Sequence, residues 1–401
     1  MIQPSQRTAN FHYAIRNIIR AAEARERAGR DVLHFNIGDP QSFGFRPPEH
    51  VCEPVARVLR EGFTGYAHSA GLPEARQAVA AYATALGAPT TPRDVLITAG
   101  ASEAADLLLG ALVNEGEEVL VPAPGYPVYT AILNKLGARA RFYRLDQRRG
   151  WQPSPEEIAS LVNPRTRAIV LINPNNPTGS ILPDRVTEQI LELAARHRLL
   201  VIADEVYREL CFEAPPTSAS VLAERMNLPL VTLESLSKTH MIPGWRAGWM
   251  RFTHGEQMPD LIAAIGRLAD GRLCSPTPAQ YAVRPALEGS WDFLRKFTEV
   301  IRRRRDFAVG RVRETQGALS CVEPAAAFYL LVQVAEEALA GRTDEQFVLD
   351  LLEETGVLFV QGSGFGTDPR EGFFRLVYLA DETLLGQAFA RVREFLTARA
   401  R

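Results

Sequence analysis

The chain has 401 residues, 46% hydrophobic and 23% charged, which is ordinary for a folded protein with a sizeable core. Its formal net charge of −2 gives no electrostatic reason to expect nucleic acid or an anionic membrane as a partner, and no apolar run is long enough to predict a membrane span. The scattered cysteines, Cys52, Cys211, Cys274 and Cys321, lack the close spacing of metal or redox motifs and favour a reducing, cytoplasmic location.

Short apolar runs alternate with helical patterns through the middle of the chain. The runs predict strands at residues 95–98, 118–121, 168–172, 200–203, 230–233 and 248–252. Nearly continuous apolar runs indicate strands that are covered on both faces, and helical stretches such as 184–197 separate several of them. We therefore predict an α/β fold whose large domain contains a mostly parallel, seven-stranded-type sheet.

After about residue 290 the pattern changes to long helices with a few strands, including 328–331 and 374–378. This change predicts a second, smaller α+β domain. The N-terminal segment, with a helical pattern at 12–29 and an extended one at 32–35, is assigned to the same domain. The expected division is an N-terminal arm and part of the small domain at 1–48, a large domain at 49–290 and a small C-terminal domain at 291–401.

Polar or small residues follow most of the predicted strands. They lie in five segments, at residues 100–102, 124–126, 173–179, 204–207 and 235–238. Ligands of parallel sheets bind outside the carboxyl ends of the strands. The five segments are therefore expected to form one site.

Lys238 is one of only three lysines, with Lys135 and Lys296, in a chain that otherwise uses arginine as its cation. An amine can lose its proton and attack a carbonyl, whereas a guanidinium effectively cannot. Serines precede Lys238 in Ser235-Leu236-Ser237-Lys238, and Arg246 follows. This set suits a phosphate bound beside a reactive amine. The alternative is an ordinary surface lysine.

Other candidates each carry an alternative. Asp204, directly after a strand, suits a protonated ring nitrogen or a helix N-cap. The rigid turn at residues 173–179 suits an asparagine side chain that points at a ligand, although such turns are usually structural. Ser102 suits a phosphate at a helix start or a cap, and Tyr126 suits a stacked ring or simple packing. Arg375, in the middle of an apolar strand, suits a substrate carboxylate or a structural salt bridge.

Taken together, these residues resemble the fold-type I, pyridoxal-phosphate-dependent class I/II aminotransferases. The resemblance covers nearly the whole chain, and the motifs occur in family order. They are Phe35-Asn36-Ile37-Gly38-Asp39-Pro40, Asn176-Pro177-Thr178-Gly179, Asp204-Glu205-Val206-Tyr207, Ser235-Leu236-Ser237-Lys238, Arg246 and Arg375. The segments Tyr13-Ala14-Ile15-Arg16 and Val360-Gln361-Gly362 resemble the alanine (glutamate–pyruvate) branch.

The resemblance implies a role for each residue. Lys238 would bind the cofactor covalently and move a proton, and Asp204 would pair with the cofactor's ring nitrogen. Tyr207 and Asn176 would bind the ring hydroxyl, and Tyr126 would stack on the ring. The residues that would hold the phosphate are Ala101, Ser102, Ser235, Arg246 and, from the neighbouring subunit of a homodimer, Tyr66. The residues that would bind the substrate are Gly38, Asn176, Arg375, Arg16 and Tyr13.

The expected function is transfer of an amino group between an L-amino acid and a 2-oxo acid, with alanine, glutamate, pyruvate and 2-oxoglutarate as expected substrates. The alternatives are an aspartate or broad-specificity transaminase, a C–S β-lyase that uses the same site, and a binding protein built on this fold. No metal is expected. His240 and Ala325-Ala326 differ from the branch and are predicted to alter pocket size, whereas Ser235 restores the general Ser-x-Ser-Lys pattern beside an unusual Glu234.

Overall fold

The computed structural model describes residues 2, 3, 5 and 18–399. Tyr13 and Arg16, together with much of the helix predicted at 12–29, lie outside these residues. The described part of that segment contains a helix from Ile19 to Arg27. None of the helices in the described part of the chain is long and apolar enough to cross a membrane.

The strands, in chain order, are β1 Leu33–His34, β2 Val95–Ala99, β3 Glu118–Ala123, β4 Arg139–Asp146, β5 Gln152–Pro153, β6 Thr166–Ile172, β7 Leu200–Asp204, β8 Leu230–Ser235, β9 Ala247–Thr253, β10 Leu319–Cys321, β11 Tyr329–Val334, β12 Val357–Leu358, β13 Val360–Gln361 and β14 Phe373–Val377. The predicted strands thus correspond to β1, β2, β3, β6, β7, β8, β9, β11 and β14, with ends that differ by at most three residues.

The α-helices are α1 Ile19–Arg27, α2 Glu49–Glu61, α3 Pro73–Ala85, α4 Ala101–Leu112, α5 Val128–Leu136, α6 Pro155–Leu161, α7 Asp184–His197, α8 Ala219–Met226, α9 Leu236–Thr239, α10 Pro259–Gly271, α11 Thr277–Gln280, α12 Val283–Glu288, α13 Asp292–Arg313, α14 Glu336–Leu339, α15 Asp344–Thr355 and α16 Glu382–Arg399. The helix predicted at 184–197 is α7, with the same bounds.

The large sheet has the strand order β2-β9-β8-β7-β6-β3-β4-β5. Strands β3, β4, β6, β7 and β8 form parallel pairs, and β9 is antiparallel to both of its neighbours, so β2 runs with the parallel set. The predicted mostly parallel α/β sheet is therefore confirmed. A short eighth strand, β5, pairs antiparallel to β4 at the edge.

Strand β6 shows why the sheet is buried on both faces. Ala168, Val170 and Ile172 belong to a hydrophobic cluster with α4, α5 and α10, whereas Ile169 and Leu171 belong to the cluster with α6, α7 and α8. Successive side chains of a strand point to opposite faces, so the side chains of a continuous apolar run are buried in the hydrophobic clusters on both faces of the sheet.

A four-stranded antiparallel sheet, β10-β11-β14-β13, lies in the C-terminal part of the chain. The N-terminal segment joins this part, because β1 pairs in parallel with β12, and because Ile18, Ala22 and Phe35 share a hydrophobic cluster with α13, α15 and α16. These contacts support the proposed assignment of the N-terminal segment to the small domain. The boundaries proposed at residues 48 and 290 stay a prediction.

Candidate active site

The sequence-predicted residues converge on one cavity of about 220 Å³ at the carboxyl edge of the large sheet. Of the predicted residues, those that line it are Gly38, Ala101, Ser102, Tyr126, Asn176, Asp204, Tyr207, Ser235, Lys238, Arg246 and Arg375. Tyr66 is not among the lining residues; its surface is 84% exposed in the single chain. Strand direction explains the convergence, because the segments after β2, β3, β6, β7 and β8 all leave the sheet at this edge.

Lys238 lies in the short helix α9, whose N-cap is Ser235. Its Nζ donates a hydrogen bond of 2.8 Å to the carbonyl oxygen of Gly38 and lies 5.8 Å from the centre of the Phe328 ring. The side chain is half-buried and faces the cavity rather than bulk solvent. The amine is therefore positioned to meet a bound ligand.

Asp204 ends β7 with its carboxyl group buried. Burial raises its pKa to about 6, although the Tyr129 hydroxyl, which donates at 2.8 Å, and the Val206 N–H, which donates at 3.3 Å, oppose that shift. No helix begins here, since residues 206–209 form a turn, so the N-cap interpretation is wrong. A buried carboxyl of this kind is suited to a cationic partner that enters the cavity.

Two tyrosines that no sequence motif indicated also belong to the site. Tyr129, on α5, holds the Asp204 carboxylate, and Tyr329, at the start of β11, has its hydroxyl 2.7 Å from that of Tyr207. Both line the cavity. Burial raises the pKa of Tyr207 well above its usual value, so its hydroxyl keeps a proton to donate at neutral pH.

Arg375 lies mid-strand in β14 with only 2% of its surface exposed. It donates to Asn176 Oδ1 at 3.0 Å and to the Asn36 carbonyl at 2.6 Å. The rings of Tyr329 and Phe365 lie 4.5 and 4.6 Å from its guanidinium carbon. Oxygen acceptors and aromatic faces thus hold a cation at the cavity wall, where a carboxylate can meet it.

The part of the cavity lining formed by the start of α4 and Arg246 suits an anion. Helix α4 begins after Gly100 and has no side-chain cap, so Ser102 is not its cap. Arg246 donates to the carbonyls of Pro243 and Ala99 at 2.8 and 3.0 Å. A Cβ on Gly100 would lie 2.9 Å from Arg246 Cζ, so glycine lets the guanidinium approach the helix start. Backbone N–H groups and a cation there favour a phosphate.

Of the residues that differ from the branch, Ser235 lines the cavity, whereas Glu234, His240, Ala325 and Ala326 lie outside its lining. His240 is buried, with its ring 4.9 Å from that of Trp291, and Ala325 and Ala326 do not reach the cavity. The expectation that these positions alter pocket size is thus not supported by direct contact. Glu234 is also turned away, because it accepts from Trp249 Nε1 at 2.9 Å and Arg251 Nε at 2.6 Å and ties β8 to β9 behind the site.

A larger cavity of about 800 Å³ lies between β4–β5 and residues 366–373, but none of the predicted site residues lines it. Within residues 18–399, no group of three or more His, Cys, Asp or Glu side chains is placed to hold a metal ion. The 220 Å³ cavity is the candidate site because an amine, a carboxylate, two cations and a helix start converge there.

Comparison with known proteins agrees with this geometry. The model of the family "Aminotransferase class I and II" matches residues 30–391. The chain is 36% identical to an alanine aminotransferase of Mycobacterium tuberculosis over 96% of this chain and 90% of that protein. It is 34% identical to the glutamate-pyruvate aminotransferase AlaA of Escherichia coli over 99% of this chain and 98% of that protein.

Among solved structures, the alanine aminotransferase of Pyrococcus furiosus matches with a TM-score of 0.94 at 37% identity. The match covers 99% of this chain and 100% of that one. The similarity therefore extends over both sheets and across the cavity between them.

Asp204→Asn tests the buried carboxyl in protein prepared without ligand. Because the folded pKa, about 6, exceeds the ordinary 3.8, folding binds a proton. The stability this contributes is complete below pH 3.8 and is lost as the pH rises through about 6. Relative to wild type, the variant should gain about 2 kcal/mol in unfolding free energy between pH 4.5 and pH 8. Urea unfolding of both proteins at both pH values measures this gain. If the difference in unfolding free energy between variant and wild type is the same at pH 4.5 and pH 8, Asp204 does not have the raised pKa.

Proposed function

This chain belongs to the class I and II aminotransferases, and we propose that it uses pyridoxal 5′-phosphate to exchange amino groups between alanine or glutamate and 2-oxoglutarate or pyruvate. The observation that carries the proposal is that Lys238 lines one cavity together with the Asp204 carboxylate, the Arg375 cation and the uncapped start of α4. The names of the relatives support the choice of substrates.

The cavity fits the proposed cofactor at each functional group. The uncapped start of α4 and Arg246 suit its phosphate, and Asp204 suits its ring nitrogen. Tyr207 has a proton to donate to the ring hydroxyl, and Tyr126 borders the cavity where a ring would stack. When bound, pyridoxal phosphate supplies an electron-poor ring that stabilises negative charge at the carbon next to the transferred nitrogen.

Lys238 would have two tasks. Its Nζ is half-buried and reaches the Gly38 carbonyl, so it is positioned for covalent attachment to the cofactor and for displacement by the substrate's amino group. As a free amine, Lys238 would accept a proton from the substrate's Cα, which the neighbouring residues would hold within its reach. Arginine at this position would keep the charge but lose both tasks.

Arg375, Asn176 and Gly38 would orient the amino acid. The guanidinium is fixed by Asn176 Oδ1 and the Asn36 carbonyl before substrate arrives, so little conformational entropy is lost when it binds the α-carboxylate. Gly38 lies in the same wall, next to Lys238. This arrangement holds the substrate's Cα near Lys238 Nζ.

The distal carboxylate of glutamate needs a separate contact. Among the described residues that line the cavity, the cations are Lys238, Arg246 and Arg375. They are already proposed to bind the cofactor, its phosphate and the substrate's α-carboxylate, respectively. A fixed additional arginine would lie desolvated when alanine is bound. We therefore propose Arg16, with Tyr13 beside the substrate, as the contact; both lie outside the described residues, and a surface role for Arg16 is the alternative.

Tyr66 supports a homodimer with shared sites. It lies after α2; Leu59, in the last turn of that helix, and Phe63, just after it, are also large and exposed in the single chain. Exposed apolar side chains this close in sequence suit burial against a second subunit. Tyr66 would then reach the phosphate of the partner's cofactor.

The four cysteines are free, as is usual in a reducing compartment, and this supports the proposed cytoplasmic location.

The main test is borohydride reduction of the purified yellow protein followed by peptide mapping. The cofactor should be fixed on Lys238, and Lys238→Arg should lose both the labelling and transamination. Lys135→Arg and Lys296→Arg are matched controls, because they make the same substitution at the chain's other lysines. Label on either of those lysines, or wild-type turnover by Lys238→Arg, would refute the proposal.

Shared sites are tested by subunit mixing. A Tyr66→Phe subunit combined with a Lys238→Ala subunit should form a heterodimer with one doubly altered site and one site with both residues intact, so some wild-type-like activity should return. Native mass spectrometry would verify the heterodimer. If verified heterodimers show no recovery, Tyr66 does not act across subunits.

Arg16→Ala tests the distal carboxylate contact. KM for glutamate and 2-oxoglutarate should rise roughly tenfold or more, as expected for loss of one charge-assisted contact, whereas alanine and pyruvate should change little. Arg20→Ala, an exposed arginine on α1, is the matched control. Equal effects on both substrate pairs, or no effect, would reject Arg16 as the selector.

A further inference from the structure

Tyr329 is the first residue of β11 and is almost completely buried, yet it lines the cavity. Its hydroxyl oxygen lies 2.7 Å from the Tyr207 hydroxyl. The two rings meet edge to face, with centroids 5.6 Å apart and planes at 79°. Two directional contacts therefore fix Tyr207 against Tyr329.

The same side chain contacts Arg375. In the β11–β14 pair, Tyr329 lies opposite Val377 and Leu331 lies opposite Arg375, so Tyr329 and Arg375 are diagonal neighbours on one face of the sheet. The guanidinium carbon lies 4.5 Å from the centre of the Tyr329 ring, with Phe365 at 4.6 Å. The ring thus limits the orientations that Arg375 can adopt.

Gly38 also contacts Tyr329. A Cβ at residue 38 would overlap the Tyr329 hydroxyl and would lie 3.0 Å from its Cε1. The Gly38 carbonyl accepts from Lys238 Nζ. Tyr329 is therefore in contact with the hydroxyl, the guanidinium and the backbone that the proposed function assigns to cofactor, carboxylate and lysine.

The number of available protons decides which tyrosine is the donor in the Tyr207–Tyr329 hydrogen bond, if Tyr207 has the proposed role. Each hydroxyl has one proton to donate. If Tyr207 donates its proton to the cofactor's ring oxygen, then Tyr329 must be the donor in the bond between the two tyrosines. A donor behind Tyr207 polarises its O–H group and strengthens the bond that Tyr207 makes.

We propose that Tyr329 is a positioning residue that acts on two residues of the site, on Tyr207 through its hydroxyl and on Arg375 through its ring. The inference rests on the proposed function, since it uses the roles given there to Tyr207 and Arg375. The action of the hydroxyl and the action of the ring can be tested separately by two substitutions of Tyr329. Phenylalanine keeps the ring and removes the hydroxyl, whereas leucine removes both.

The experiment compares Tyr329→Phe and Tyr329→Leu in holoenzyme by two measurements. The first is the pH midpoint of the bound cofactor's visible absorbance. A weaker donor leaves the ring oxygen more basic, so both variants should raise the midpoint, by about half a unit. The second is KM for the amino acid, with kcat measured alongside. Tyr329→Leu should raise KM by roughly fivefold or more, and Tyr329→Phe should leave it within about twofold.

Tyr143→Phe is the matched control, because Tyr143 is equally buried and its hydroxyl donates to the Val170 carbonyl, away from the cavity lining. It should change neither quantity, even if it lowers the melting temperature. An unshifted midpoint in Tyr329→Phe, with wild-type protein that binds cofactor and transaminates, would overturn the inference alone. Wild-type protein that binds no cofactor would refute the proposed function instead. An equal rise in KM for both variants would refute the role of the ring.

Discussion

The common direction of β2, β3, β4, β6, β7 and β8 is the constraint on which the site depends. Parallel strands end at the same edge, so residues far apart in sequence meet there without any long-range motif. The reversed strand β9 contributes as well. It begins at this edge, and the residue before it, Arg246, therefore lies beside Gly100, which follows β2.

The second sheet completes the cavity from the other side. Arg375 and Tyr329 come from its neighbouring strands β14 and β11, whereas Asn176 and Tyr207 come from segments after β6 and β7. A further contact joins the two parts, since the Gly125 N–H, next to Tyr126, donates to the Phe365 carbonyl at 2.8 Å. The wall that would meet the cofactor and the wall that would meet the carboxylate are thus joined by hydrogen bonds that involve the segments following the strands.

Sequence patterns predicted the interior of this fold better than its edges. Strands β6, β7 and β8 were recognisable because both of their faces are buried, whereas β4 was missed because much of its surface is exposed and Arg139, Arg141 and Arg144 interrupt its apolar pattern. Site residues at strand ends were recognisable by their polarity. Tyr129 and Tyr329 were not, because a tyrosine in an apolar element has the same pattern as a core residue, and only the structure shows which groups its hydroxyl contacts.

The packing of Gly38 against Tyr329 limits how chains with this site can diverge. Replacing the tyrosine by phenylalanine would remove one overlapping atom, but a side chain at residue 38 would still meet Phe328 Cε2 at 2.6 Å. A single substitution at residue 329 therefore cannot make room at residue 38, and a side chain introduced at residue 38 is overpacked unless residue 328 changes as well. A homologous chain with a larger residue at position 38 must have different side chains at the positions of Phe328 and Tyr329. Its substrate would then contact a different cavity wall, so sequence alignment with this chain is not enough to infer its specificity.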